Sequence, residues 1–570
     1  MTDLPRPSAL RRVACAAFFC LLPSAAAAQA APDAGQLLRE SQPPPPRPEA
    51  LTPRPPVPAR PEGGATVRVR GFEVVGSQRF DAATWNGVLA PFVGRDLGFA
   101  GLQAAADAVA RHFREAAGVH VAATLPPQDL AAGLVRIRVT EARFGRLRSE
   151  LLVPAGEPGA RIPKARVEQI VGGVLAAGGP LPIAALESRT LIANELPGAK
   201  VSSLLAAGER EGETDVLLRI EPRPAFGGSA TLDNFDARAT GSLRALASIA
   251  FASPTGHGEQ FGLSASLSEG KRYARAVATL PVGAAGWRAG VNASAMRYEL
   301  VGDFAATGAR GTARTAGLWL AAPLLRSATA NANAILTLEE KRLFNEAAVG
   351  VLSDKRQRVA GFGLSGDRLD DWGGAGVWFG SVVLHAGELD LSRNADDAAA
   401  DAAGPQRAGA WRKATITAGR LQQLPAGQTL SLNLTLQRAG NRNLDSSEQL
   451  ALGGAGGVRA YPSIEGGGDQ GFVASVAWRV PLSPRWRAEL FYDEGRIDRE
   501  RRDGAATSVP AAYSLRGAGV ALDVQPREGW RVQATLASRI GSNPAAGPTG
   551  LDADGTKRRL RGWLLVETTF

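Results

Sequence analysis

The sequence predicts an all-β transmembrane barrel of sixteen antiparallel strands, preceded by two small α/β repeats. Three observations carry that class. From about Ala225 helical periodicity stops, and the remaining 345 or so residues run as alternating apolar and polar positions in segments of ten to fourteen. Nine of the ten tryptophans fall in that part, as aromatic girdles at two membrane interfaces require. Connections alternate between tight (Leu482 to Arg485, Pro526 to Gly529) and long polar (Ser392 to Gly409, Asp498 to Ala512, Gly541 to Thr556), and the last apolar-faced strand ends on Phe570.

Composition agrees. The chain of 570 residues exceeds one ordinary domain, and its hydrophobic content is 45 % at a mean hydropathy of −0.08, so apolar residues are interleaved with polar ones. Residues 1–30 read as a signal peptide: Arg11 and Arg12, then the short apolar run Val13 to Leu22, then a small-residue cleavage region ending at Ala28 or Ala30. Both cysteines, Cys15 and Cys20, lie inside it, so the mature chain is expected to have neither disulfides nor cysteine-held metal. The formal charge of +10 comes without a nucleic-acid motif and suits a basic pore lining or membrane-proximal surface.

Residues 31–65 comprise a helix of at most two turns, Asp33 to Glu40, and a linker with ten prolines between Pro43 and Pro61, which should be extended polyproline. A first repeat occupies 66–142. Val67 to Val74 alternates as a strand, Asp81 can cap a helix toward Leu89, and Leu102, Ala106, Val109 and Phe113 form a helical stripe. Strands at Val119 to Leu125 and Leu134 to Glu141 follow. A second repeat, 143–224, has the same β-α-α-β-β order: a strand to Val153, a stripe at Val167, Ile170, Val171 and Val174, and a helix carrying Leu186, Leu191 and Leu196. Two closing strands end before Pro222. Residues 225–570 form the barrel, with a long inward-folding loop at about 441–470. Thr429 to Leu436, with Leu at every second position, is its clearest strand. An even strand count leaves both barrel ends, and so both repeats, on the periplasmic side.

Several motifs resemble one family. Pro126-Pro127-Gln128 followed by Gly133 to Glu141 is similar to the signature of a first POTRA domain, with Ala142 where glycine is usual. Asn194-Glu195-Leu196-Pro197-Gly198 resembles the Asn-Asp-Leu-Pro-Gly run of a second. Asp233-Asn234-Phe235 with Thr240-Gly241 resembles elements at the start of the barrel. Gly457-Val458-Arg459-Ala460-Tyr461 resembles a Val-Arg-Gly-Tyr/Phe loop, with alanine third, and Phe491-Tyr492-Asp493-Glu494-Gly495 a Phe-x-Asp-x-Gly strand. Together they resemble the outer-membrane transporters of two-partner secretion, the TpsB branch of the Omp85 superfamily, including the ShlB/FhaC/HecB-like haemolysin and haemagglutinin secretion proteins.

Alternation from Trp486 places Arg487, Glu489, Phe491 and Asp493 toward the lumen. The resemblance implies that Arg459 meets Asp493 there, a loop lock through a bidentate charge-assisted pair. Gly457, Val458 and Tyr461 complete the loop motif, Phe491 and Gly495 the wall motif. Ala460 stands where glycine would tolerate positive φ. Phe570 is assigned to barrel assembly.

Other chemistry finds no constellation. The glycine-rich loop lacks the Lys-Ser/Thr of a phosphate-binding loop; His112, His120, His257 and His385 are isolated; no Gly-x-Ser-x-Gly elbow occurs. His112 and the Asp396-Asp397-Asp401 cluster read as solvated groups. The resemblance implies no enzyme and no cofactor, but an outer-membrane transporter that captures an unfolded, large β-helical exoprotein of the TpsA type through its POTRA domains and exports it. Outer-membrane lipid and the barrel assembly machinery are the further partners, and the chain is expected to act as a monomer. The Asp33 to Glu40 segment could plug the pore. The rivals are an Omp85-type assembly factor, which usually carries more POTRA repeats, and a passive porin or receptor.

Overall fold

A computed structural model describes residues 31–42 and 66–570, apart from 78, 119–120, 155–158, 211, 441, 501–509 and 548. The expected signal peptide, nearly all of the proline-rich linker and His120 lie outside the described residues.

Each α/β repeat is a three-stranded sheet covered by two helices. In the first, Leu134–Glu141 is central, parallel to Gly71–Val75 and antiparallel to Val121–Thr124. In the second, Glu213–Pro222 is central, parallel to Arg143–Leu151 and antiparallel to Ala199–Ala207. The stripe Leu102, Ala106, Val109 and Phe113 is buried against the first sheet, and Val167, Ile170, Val171 and Leu186 against the second. Asp81 accepts from Thr84 N–H at the helix start.

Three local readings need correction. The strand expected from Val67 to Val74 is broken: Val67–Arg68 pairs with Asp96–Leu97, while Gly71–Val75 pairs with the central strand. Between them Val69 N donates to Arg95 O and Arg70 N to Gly133 O, so the backbone changes partners while the alternation continues. His112 is not simply solvated; its ring packs edge-on to Phe80 and Trp85, with centroids 4.7 and 5.5 Å away. Asp401 is buried in a helix, Ala395–Ala403, and accepts from the N–H groups of Arg407 and Ala408 at 2.9 Å.

The barrel closes with sixteen antiparallel strands, from Phe226–Asp233 to Leu560–Thr569. First and last strands pair from Asp233↔Leu565 to Ser229↔Thr569, and Gly228 and Phe570 exchange backbone bonds of 2.9 and 3.1 Å. Past Asp233 the Asn234 side chain continues the ladder, accepting from Leu564 N–H at 2.8 Å and donating to Gly562 O at 3.0 Å.

The second repeat sits on the turns between barrel strands. Glu195 receives Arg288 at 2.9 Å and Arg326 at 2.5 Å, while Arg166 and Arg189 donate to the carbonyls of Gly283 and Ala284. Those turns mark the periplasmic end, and the long connections therefore lie at the outer end.

The lumen holds two further elements. One is the helix Ala34–Ser41, capped by Asp33. The other is the long loop after the strand Thr429–Ala439, whose arms Leu450–Ala451 and Gly467–Gly468 pair as a short hairpin.

Candidate functional site

The loop turns back at Gly453 to Pro462. Val458 N donates to Leu452 O at 2.7 Å, and Tyr461 N to Val458 O at 3.1 Å. This compact tip leaves Val458, Ala460 and Tyr461 with no exposure. Gly457 lies against the Leu452 carbonyl, where any Cβ would collide, and a Cβ on Gly495 would stand 2.9 Å from Leu452 and 3.2 Å from Val458. Loop and wall meet closely because both motifs provide glycine at the contact.

Arg459 projects from this tip onto the inner wall. Its Nε and Nη2 donate to the two oxygens of Asp493, each at 2.8 Å, and its backbone N–H donates to Asp493 at 3.1 Å. Nη1 reaches Glu489 at 2.7 Å, and the guanidinium carbon lies 3.3 Å from the Phe491 ring centroid. Ser475, paired across the wall with Asp493, donates to it at 2.8 Å. Asp493 is fully buried, so the guanidinium fork satisfies a carboxylate with no water available. Arg479 neutralises the other side of Glu489 at 2.7 Å. Trp563 Nε1 donates to the Arg459 carbonyl at 2.8 Å, which ties the tip to the last strand as well.

The structure thus brings together Arg459, Asp493, Gly457, Val458, Tyr461, Phe491 and Gly495, all expected at one site. Ala460 does not have positive φ; the residues near it that do are Gly454, Ile464 and Gly466. Its methyl packs on the wall at Gly517, where a Cβ would stand 2.5 Å away. Sequence reasoning placed Glu489 in the lumen without giving it a role, and it missed Ser475, Arg479 and Trp563. Inward parity was the available signal for Glu489; the others depend on which strands face the tip.

The helix Ala34–Ser41 packs inside the barrel beside this loop. Leu37 and Leu38 are buried on Tyr273, Met296, Tyr298 and Leu343, an apolar patch on the inner wall. Each leucine contributes about 1.5–3 kcal/mol by burial. Arg39 donates to the carbonyls of Ser446 and Gln449, and a Cβ on Gly35 would collide with Ser446 Oγ. A charge chain then runs from Glu40 to Lys271 (3.2 Å), Asp236 (2.9 Å), Arg244 (3.3 Å) and Asp233 (2.9 Å). The loop is anchored separately by Glu448 against Lys341 and Lys413, at 2.6 and 2.7 Å. Burial pushes Glu448 up, but the two lysines outweigh it and hold its carboxyl below the usual carboxylate range.

The remaining predicted residues lie elsewhere. In the first repeat Pro126 and Pro127 follow the strand Val121–Thr124 and cannot donate to the sheet. Gln128 replaces the missing pairing, accepting from Arg136 N–H at 2.6 Å and donating to Arg136 O at 2.8 Å. Phe570 closes the seam by its backbone, its ring lying over Gly228.

A closed barrel with periplasmic repeats and a lumen occupied by a loop and a helix is the architecture of an outer-membrane transporter. Comparison with known proteins agrees. The ShlB-type POTRA domain matches residues 67–142, and the haemolysin secretion/activation protein family ShlB/FhaC/HecB matches residues 212–524. The chain belongs to the ShlB/FhaC/HecB family, the two-partner secretion transporters of the outer membrane, with its POTRA domains in the periplasm. It is 22 % identical to the heme/hemopexin transporter protein HuxB of Haemophilus influenzae (strain 86-028NP) over 80 % of each chain. It is 25 % identical to the outer membrane transporter CdiB of Escherichia coli O6:K15:H31 over 80 % of this chain and 77 % of that one. Among solved structures, CdiB from Escherichia coli superposes with a TM-score of 0.63 at 22 % identity, covering 94 % of this chain and 96 % of the other. BamA from Haemophilus ducreyi lacking POTRA domains 1–3 gives 0.53 at 13 % identity over 89 and 99 %, a likeness of fold.

Proposed function

We propose that this transporter exports an unfolded, large β-helical exoprotein, captured by its POTRA domains, through a lumen from which the helix and the Arg459 loop must both withdraw. The observation that carries this reading is the pair of direct bonds from Arg39 to the loop carbonyls. Helix and loop fill one passage and hold each other, so a partner that displaces one weakens the other. An extended segment is suited to capture because a sheet edge offers main-chain hydrogen bonds with little side-chain demand. In this reading residues 1–30 are the signal peptide, 31–65 the plug helix and its tether, 66–142 and 143–224 the POTRA domains, and 225–570 the barrel. The chain acts as a monomer in lipid, inserted by the barrel assembly machinery with Phe570 as its terminal strand residue. Arg459 and Asp493 lock the loop, and Gln128 with Pro126 and Pro127 ends the edge strand of the first domain.

Secretion by cells expressing this chain with a candidate β-helical partner tests the proposal. The partner should reach the medium with wild type and be retained when residues 67–222 are deleted. An Omp85-type assembly function is the second reading. It would replace the first if export never depended on this chain while other barrels failed to assemble without it.

A further inference from the structure

The lipid-facing wall of the barrel carries a feature that neither transport nor the lock uses. At the outer end of five consecutive strands, arginines point away from the lumen. Arg272 stands directly opposite Arg297, and Arg314 opposite Arg342, which stands opposite Arg356. Their strand neighbours Tyr273, Tyr298, Ala313, Leu343 and Lys355 are buried on the inner side, which fixes the arginines outward. Like charges facing across a ladder are destabilising unless something neutralises them.

Glu340 does so for part of the arc, reaching Arg342 at 3.1 Å and Arg356 at 2.6 Å. The other ion pairs on this wall are Arg310–Glu346, Arg358–Glu340 and Arg393–Asp354. Among the described residues none reaches Arg272, Arg297 or Arg314, all of them exposed.

Their depth is informative. Trp287 and Arg297 lie ten residues apart on one face of one strand. That separation is about 33 Å of strand, or about 25 Å along the membrane normal at a tilt of about 40°. With Trp287 at the periplasmic interface, Arg297 stands at the level of the outer-leaflet headgroups.

Directly below, the wall is concave. A groove of about 930 Å³ is lined by Leu263, Ala276, Val291, Ala293, Leu318 and Leu338, with Glu340 and Arg358 at its rim. A second of about 750 Å³ continues it past Ala247, Ala265 and Ala274. An apolar groove facing hydrocarbon, under unpaired guanidinium groups at headgroup depth, fits one occupant: an acylated lipid bearing phosphate.

We infer that this wall is a binding site for a phosphorylated, multiply acylated glycolipid of the outer leaflet, of the lipopolysaccharide class. Its phosphates are received by Arg272, Arg297 and Arg314, and its acyl chains lie in the grooves. Arginine suits phosphate through its planar fork of donors, and several arginines on adjacent strands match a headgroup with more than one phosphate. Phosphatidylglycerol carries a single phosphate and two chains, and fills neither the arc nor the grooves.

The test uses the full chain in phosphatidylethanolamine vesicles containing either lipopolysaccharide or phosphatidylglycerol at equal phosphate density. Lipid retained after detergent extraction is counted by native mass spectrometry. Wild type should retain lipopolysaccharide in preference to phosphatidylglycerol. The triple variant Arg272→Gln/Arg297→Gln/Arg314→Gln should bind it about 100-fold more weakly, from the usual contribution of each basic side chain at an anionic surface. Ala293→Phe, which fills the groove and leaves the arginines in place, should also lose it. Arg496→Gln, an exposed outward arginine on the strand eight positions round the ring, should change nothing. Heat-dependent gel mobility confirms that each variant has a closed barrel. Equal retention by the triple variant, equal binding of phosphatidylglycerol, complete displacement by inorganic phosphate, or crosslinking of two copies through Ala276→Cys would each overturn the assignment.

Discussion

Ser446 Oγ lies 2.8 and 2.7 Å from the two carboxylate oxygens of Asp33, so the N-cap of the lumenal helix is bonded to the loop that carries Arg459. Two segments more than four hundred residues apart are therefore bonded to each other inside the barrel. Deleting residues 31–42 should raise ion conductance in planar bilayers and make the loop accessible to protease. The milder pair Leu37→Ala and Leu38→Ala should do so partially, because truncating a buried leucine costs about 2–5 kcal/mol. Unchanged conductance on deletion would mean that the helix does not seal the pore.

The lock depends on geometry as well as charge. Arg459→Lys keeps the cation but loses the two parallel bonds to Asp493 and the planar contact with Phe491. Asp493→Ala leaves a buried guanidinium short of a partner, a loss of about 3–5 kcal/mol. Both variants should fold as barrels, show faster hydrogen exchange in residues 450–468, and secrete less. Protection equal to wild type in both would show that the loop is held by its apolar tip alone.

Ala460 and Gly517 should behave as a pair. Gly517→Ala alone should loosen the loop, since the two Cβ atoms would stand 2.5 Å apart, and Ala460→Gly should restore it. A double-mutant cycle read by loop exchange rates measures the coupling; additive effects would mean that the contact is incidental.

Glu195 ties the second α/β repeat to the barrel by pairing with both Arg288 and Arg326. These groups are partly exposed, so Glu195→Gln should cost only about 1 kcal/mol or less. It should nevertheless broaden the distance distribution between spin labels on that domain and the barrel. An unchanged distribution would show that these two ion pairs do not fix the repeat's orientation.

In the first POTRA domain, hydrogen bonds from Arg79 and Ser77, both at 2.9 Å, hold the Glu141 carboxyl below its ordinary range. A depressed carboxyl contributes stability above the ordinary glutamate pKa, and that contribution is lost as pH falls through the lowered value. Protection factors of residues 67–142 in the full chain, taken relative to the intrinsic exchange rate at each pH, should therefore fall on acidification. Glu141→Gln should already be fast at neutral pH and respond less; identical pH profiles would refute the linkage.

Much of this protein was legible along the chain because the information is periodic. Strand parity from Trp486 to Asp493 separates lipid-facing Leu490 and Tyr492 from lumenal Phe491 and Asp493, since pleating alternates side chains whatever the strand pairs with. Helical stripes such as Leu102 to Phe113 and the turn prolines at 126 and 127 are local in the same sense. The strand read at Val67 to Val74 failed because alternation says nothing about which backbone receives each N–H. The lumenal helix lay at the same limit. Its eight residues and cap were readable, but its place was not, because Leu37 and Leu38 are buried by Tyr273, Met296 and Leu343, residues that only barrel closure gathers into one patch. Nor could one dimension show that Ser475, Glu489 and Trp563 surround Arg459, or that Gly517 makes room for Ala460. Those contacts belong to the curvature and stagger of sixteen paired strands, which set side chains far apart in sequence at hydrogen-bond distance across a closed interior.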